Sequence, residues 1–171
     1  MPSENTPRVI EFFDASVFLG MNSDDEMARV ACKNFFASRM DRSLSTSLEQ
    51  VGFCDNVIWR YARELQDVYY PFMDLLHSIV AIQRRPYSDE QLHRAQHDED
   101  LTGLPASDRL LCSQVHTSGG RLYTLRPHLI RHLQIAASPP PTGHELTFPP
   151  PAEALYRASL ALRVPLSELR E

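Results

Sequence analysis

Lysine is almost missing from this sequence: of 17 basic side chains only Lys33 is a lysine, and 22 acidic ones leave a formal charge of −5. A chain with that balance has no overall attraction for phosphate backbones, so contact with a nucleic acid would need a local patch. Cysteine is confined to Cys32, Cys54 and Cys112, odd in number, far apart and without a CxxC pair. That leaves no disulfide framework or zinc knuckle to expect and fits a reducing compartment. No apolar run approaches the roughly 18 residues of a bilayer span, and the opening MPSENTPR lacks the basic and apolar regions of a signal peptide. These absences lead us to expect a cytoplasmic protein with no membrane association. What remains is an ordinary globular composition, 171 residues with 43% apolar and 23% charged, enough to bury a core without a disulfide or structural metal.

Proline is unevenly placed. Seven of thirteen lie beyond residue 138, in SPPPTGHELTFPPP and VPLSE. Residues 138–151 therefore read as an extended linker, between a main domain at 1–137 and a helical appendage at 152–171. In the appendage, AEALYRASLALR sets Ala154, Leu155, Ala158 and Leu162 at helical spacing, and such a short helix needs a surface, its own chain's or a protein partner's.

Within the main domain RVIEFF reads as a buried strand ending at Asp14, SLSTSLEQV as a second strand and RLYTL as a third. Between them lie helical stretches. One follows a cap at Ser23 or Asp24 and carries Met27, Val30, Ala31 and Phe35. Another starts at Asp55, carries Val57, Ile58, Tyr61 and Leu65, and is interrupted at Pro71. The run FMDLLHSIVAIQ, Phe72 to Gln83, is apolar on more than one face, which suggests a buried helix or a homodimer contact. SDEQLHRAQHDED and PASDRLLCSQVHTSGG add two more, the second stopped by Gly119 and Gly120. Alternation of this kind predicts an α/β fold: a three-layer α/β/α sandwich with a short central parallel sheet.

In open parallel sheets, ligands collect outside the carboxyl ends of the strands. Asp14, Asp55 and Asp108 are expected at such ends, and three carboxylates that converge can share Mg2+ or Mn2+ through oxygen ligands. An ion held so activates water for phosphodiester cleavage. Each aspartate also has a plainer reading, as a turn residue or a helix cap. His93 and His97, four apart and followed by Asp98, Glu99 and Asp100, have the spacing of a metal-binding helix or of a solvated charged face. Arg126, His128, Arg131 and His132 form one basic cluster and Arg84 with Arg85 another, suited to a phosphate or to local ion pairs. Trp59, Tyr61, Tyr69, Tyr70 and Phe72 follow helical periodicity and read as core or dimer contacts, and Cys54 as a buried structural cysteine.

These residues carry a family resemblance. VIEFFDASVFLGMNSDDE resembles the first motif of the PIN-domain superfamily, in which a strand delivers an Asp followed by a hydroxyl residue, here Asp14 and Ser16. TSLEQVGFCDNVIW is similar to the block where a Thr-Ser pair precedes an acid, which maps to Asp55, or less well to Glu49. LPASDRLLCSQVHTSGGRLYTL resembles the third block and maps to Asp108 and Thr124. The resemblance implies a Mg2+- or Mn2+-dependent ribonuclease acting on RNA, with Asp14, Asp55 and Asp108 as metal ligands and Ser16 and Thr124 orienting them. One departure stands out. Where many members read Thr-Leu-Asp this chain reads TLRPHL, so Arg126 takes the place of a metal-proximal acid. A second expectation follows from it: a catalytically altered PIN-like protein, serving as a binding or assembly module or as a repurposed metal-dependent enzyme acting on a small molecule.

Overall fold

A computed structural model describes residues 8–171, so most of the N-terminal stretch read above as lacking a leader lies outside the described residues. In chain order the elements are β1 (Glu11–Phe13), α1 (Ala15–Gly20), α2 (Glu26–Ala37), β2 (Ser43–Ser47), α3 (Gln50–Ile58), α4 (Arg63–Ile79) and β3 (Ala81–Arg85). There follow α5 (Asp89–His97), α6 (Ala106–Thr117), β4 (Arg121–Tyr123), α7 (Pro127–Ile130), β5 (Ala136–Ser138), α8 (Pro150–Ser159) and α9 (Leu166–Leu169). The five strands form one all-parallel sheet in the order β3-β2-β1-β4-β5. Helices cover both faces, so the fold is the expected three-layer α/β/α sandwich.

Consecutive residues of the central strands explain the two layers. Successive side chains of a strand point to opposite faces, and both Phe12 and Phe13 are fully buried. Phe13, with Leu44 and Tyr123, enters the larger core, which also holds Phe18, Phe35, Phe36 and Phe72. Phe12 and Leu122 enter a smaller core against Leu111, Cys112 and Val115 of α6. Gly119, at φ +61°, turns the chain out of α6 toward β4, and a Cβ on Gly120 would lie 2.7 Å from the Phe12 ring.

Three expectations need correction. Asp55 does not open a helix: α3 begins at Gln50 and places Asp55 in its middle. Pro71 does not interrupt a helix either, because α4 runs continuously through it and Pro71 lies exposed, where the carbonyl it leaves unpaired can be hydrated. The apolar run beyond it is helix only to Ile79; Ala81–Arg85 is an edge strand, poorly buried and without apolar alternation. The sheet also gains β5, only three residues long, at the point where the main domain was expected to end.

Residues 139–149 contain no helix or strand, and they are pinned along α2. Asn34 Nδ2 donates to the His144 carbonyl (2.7 Å) and Asn34 Oδ1 accepts from Leu146 N–H (2.7 Å). Lys33, the only lysine, is fully buried and held by Glu145 and Glu153, each at 2.8 Å, while Arg29 also binds Glu145 (2.8 Å). Beyond the strap, α8 packs on α4 through an aromatic triad, Phe72, Phe148 and Tyr156, with ring centroids 5.1–5.7 Å apart. The surface that the C-terminal helix needs is therefore supplied by its own chain. The bridge Ser23–Val164 and the buried Leu169 carry the chain on to α1.

Hydrogen bonds from Arg29 hold the Glu145 carboxyl down at about 2, against the opposing pull of burial and with Lys33 adding to the effect. A depressed carboxyl contributes stability that is present above its unfolded value, near 4.5, and lost as the pH falls toward 2. Glu145→Gln should therefore lower the urea midpoint at neutral pH, and the gap to the parent should close between pH 4.5 and 2. A gap that stays constant across that range would contradict the assignment of Glu145 as the clasp.

Candidate functional site

In a sheet of order 3-2-1-4-5 the chain reverses its direction of growth between β1 and β4, and a crevice opens outside their carboxyl ends. Asp14 follows β1 directly, and Thr124 and Arg126 follow β4, so topology alone brings these three together. Asp108 joins them from the first turn of α6.

Asp14 is fully buried and its four close contacts saturate both oxygens. Oδ1 accepts from the Ser16 backbone N–H (3.0 Å), which caps α1, and from the Ser16 hydroxyl (2.5 Å). Oδ2 accepts from the Thr124 hydroxyl (2.6 Å) and from Arg126 Nε (3.1 Å). Ser16 Oγ in turn accepts from Leu125 N–H (2.8 Å), so one hydroxyl ties the end of β1 to the end of β4. Asp108, 2% exposed, has one contact on each oxygen: Oδ1 takes Arg126 Nη1 (2.7 Å) and Oδ2 contacts His128 Nε2 (2.9 Å). The Arg126 guanidinium thus bridges two buried carboxylates, one through Nε and one through Nη1. Burial works against its charge, but Asp14 and Asp108 outweigh that cost and hold its pKa above the usual arginine value.

The resemblance mapped the second acid to Asp55, or less well to Glu49. The side chain that reaches the residue after Asp14 is instead Gln50, 1% exposed, whose Oε1 accepts from Ala15 N–H at 2.8 Å. Sequence reasoning missed it because the strand was extended through Gln50; its place as first residue of α3, just past β2, was the available signal. Asp55 stands apart, its Oδ1 accepting from the Tyr70 hydroxyl (3.0 Å), with no hydrogen bond to Asp14 or Asp108. Glu49 accepts from the Tyr87 hydroxyl. Asp14, Ser16, Asp108, Thr124 and Arg126 are therefore brought together, and Asp55 and Glu49 are not.

Several of the remaining candidates have local partners. His93 and His97 stack with centroids 4.3 Å apart, and His97 Nδ1 is bonded to the His93 carbonyl, while His132 Nε2 meets the Asp100 carbonyl at 3.1 Å. Arg85 Nε donates to Ser45 Oγ (2.8 Å). Cys54 is buried, with a thiol pushed well above the usual value chiefly by burial, as suits a structural cysteine.

The donor set tests whether a divalent cation fits. Mg2+ or Mn2+ needs carboxylate oxygens free to face it, whereas every oxygen of Asp14 and Asp108 has a donor and the space between them is taken by a guanidinium. Among the described residues, no group of three or more His, Cys, Asp or Glu is arranged to hold an ion. The residues present do not fit the metal that the resemblance implies. Beside Arg126 lies a cleft of about 250 Å3 with apolar walls from Leu19, Phe53 and Val57, bounded by Ser107, by Leu169 of α9 and by the acids Glu168 and Glu171. Arg126 Nη2 makes no hydrogen bond among the described residues.

Fold and site together define a doubly wound α/β protein with a carboxylate–arginine–carboxylate cluster at its topological switch point. The chain belongs to a family of unknown function, DUF6190, whose model matches residues 1–169. None of the curated proteins matches it. No helix among the described residues is long and apolar enough to cross a membrane.

Removing one partner of a buried ion pair leaves the other charge uncompensated, at a cost of about 3–5 kcal/mol. Arg126→Ala is expected to lose stability of that order at pH 7. Chemical denaturation at pH 7 measures it, and a loss below about 1 kcal/mol would show that the two carboxylates do not depend on Arg126.

Proposed function

We propose that this chain is a PIN-like protein that has exchanged the metal for a built-in cation and works as a binding module, with its ligand cleft at the carboxyl edge of the sheet. The observation that carries this reading is the guanidinium of Arg126, held by Asp14 at 3.1 Å and Asp108 at 2.7 Å. A fixed cation with two of its nitrogens committed cannot be displaced as a hydrated ion is, and it cannot lower the pKa of a bound water as a metal does. Gln50 supports the same reading, since the side chain bonded to Ala15 N–H, one residue past Asp14, is a neutral amide and not a carboxylate. A ligand in the cleft meets apolar walls, the Nη2 edge of Arg126 and the carboxylates of Glu168 and Glu171, which suits a small apolar group bearing one acceptor for Arg126 and a donor for the acids.

The second reading, a Mg2+- or Mn2+-dependent ribonuclease, is favoured by the convergence of Asp14, Ser16, Asp108 and Thr124. Two measurements separate them. Calorimetric titration of the parent chain with Mn2+ should give no binding heat, whereas the double variant Gln50→Glu, Arg126→Asp, which restores carboxylates at both positions, should gain a site in the micromolar range. RNA cleavage by the parent in Mn2+ that disappears in Asp14→Asn would overturn the module reading in favour of the nuclease.

A further inference from the structure

At the amino edge of the sheet, across from the Arg126 cleft, arginine is concentrated a second time. A groove of about 770 Å3, within the size range of small-molecule sites, lies where the central strands begin, and Arg8, Arg42, Arg85 and Arg121 line it. Topology brings three of them there. The strands β2, β1 and β4 are parallel neighbours; Arg42 immediately precedes β2, Arg8 lies shortly before β1, and Arg121 opens β4 level with Glu11. The fourth, Arg85, ends β3 and lies back across the sheet. Its Nε donates to Ser45 Oγ (2.8 Å), its Nη2 to Gln83 Oε1 (3.1 Å), and its guanidinium carbon sits 5.9 Å from the centre of the Phe12 ring.

The positive charge here is not neutralised locally. Among the described residues Glu11 is the one acid lining the groove, and its carboxylate is already held by Arg39, through Nε (3.1 Å) and Nη2 (3.0 Å), and by the Tyr123 hydroxyl (3.2 Å). Arg42 stands farther off, with Nη1 3.7 Å from Glu11 and Nε 3.9 Å from the exposed Asp41. Arg121 takes part in no ion pair among the described residues. Four guanidiniums therefore face one acid that a fifth has paired, in a chain whose overall charge is −5. Unlike the buried bridge of Arg126, this set is open to solvent: Arg8 and Arg121 are exposed, and the Arg42 side chain is 40% exposed.

We propose that this groove is a binding site for a small polyphosphate, a compound with several phosphate groups close together and no aromatic ring. Arginine forks match phosphate oxygens two at a time, and Ser43 and Gln83, both exposed at the groove, add neutral hydrogen-bond donors. Two observations select a small ligand over a nucleic acid. Tyr123 is the one aromatic residue in the lining and is only 9% exposed, so no ring is presented for a base to stack on. Beyond the groove, the net charge of −5 repels a long polyanion. The groove shares no lining residue with the Arg126 cleft and does not depend on the function assigned there.

Tripolyphosphate, inorganic phosphate and a short single-stranded RNA, each titrated into the full chain by calorimetry, test the assignment. Tripolyphosphate should bind one to one and more than about tenfold tighter than inorganic phosphate. In nuclear magnetic resonance it should shift the amides of Gly119 and Gly120, which line the groove, and leave the His128 imidazole beside Arg126 unmoved. Arg121→Ala and Arg42→Ala should each weaken it about tenfold, whereas Arg63→Ala, 81% exposed and outside the groove, should not. No binding of tripolyphosphate at millimolar concentration, equal affinity for inorganic phosphate, equal weakening by Arg63→Ala, or a shift at His128 instead would each overturn the proposal. RNA that binds more tightly than tripolyphosphate and is lost in Arg121→Ala would overturn it in favour of a nucleic-acid surface.

Discussion

The structure turns on one ion bridge, the Arg126 guanidinium lying between Asp14 and Asp108. Two carboxylates buried to 0% and 2% exposure lie within reach of one guanidinium, and a cation shared between them offsets the cost of burying both. Arg126 supplies that cation from the chain itself, and in doing so joins the end of β1, the first turn of α6 and the β4–α7 junction. Ser16, Thr124 and His128 add further contacts, so every oxygen of the two carboxylates has at least one partner. A satisfied buried network of this sort fixes geometry more than it adds stability. Its consequence is chemical: a site shaped to collect negative charge has its counter-charge already in place.

The second organising contact lies on the opposite flank of the large core. Arg29 and Lys33 of α2, both buried, draw in Glu145 of the proline-rich strap, and Lys33 also takes Glu153 of α8. Tyr156 closes the arrangement by accepting from Arg29 (2.6 Å) and donating to the Met21 carbonyl (2.9 Å). Stiff, extended proline-rich chain spans the distance without needing hydrogen-bond partners along its length. From there Asn22 ties down Ser159 and Leu162, and α9 arrives beside α1 as one wall of the Arg126 cleft. The C-terminal segment thus shapes the candidate site from outside the sheet.

Much of this was legible in the residues. Phe12-Phe13 ending at Asp14, the helix over SDEQLHRAQH and the Gly119 stop of α6 are local signals, and local physics decided them, whereas α2 is capped by Asp25 and not by Ser23 or Asp24. Asp14, Ser16, Asp108, Thr124 and the anomalous Arg126 were picked out because each sits at an element boundary that a pattern can mark. What was hidden is tertiary. Ala81–Arg85 is a strand only because β2 lies alongside it through five residue pairs, and β5 only because β4 does. Asp55 looked like a helix start because acids cap helices, while the real start, Gln50, carries no capping signal. The partners of Lys33 lie 112 and 120 residues away, beyond any window of periodicity.

The most direct test of the central bridge is nuclear magnetic resonance of the Arg126 side chain. Its Nε–H signal, assigned by its loss in Arg126→Lys, reports a proton held against Asp14 in the cluster's interior. The account predicts that this signal is visible at neutral pH and stays sharp when paramagnetic Mn2+ is added at equal concentration. Selective broadening of that signal by Mn2+, reversed by a chelator, would contradict it and place a metal where the guanidinium now stands.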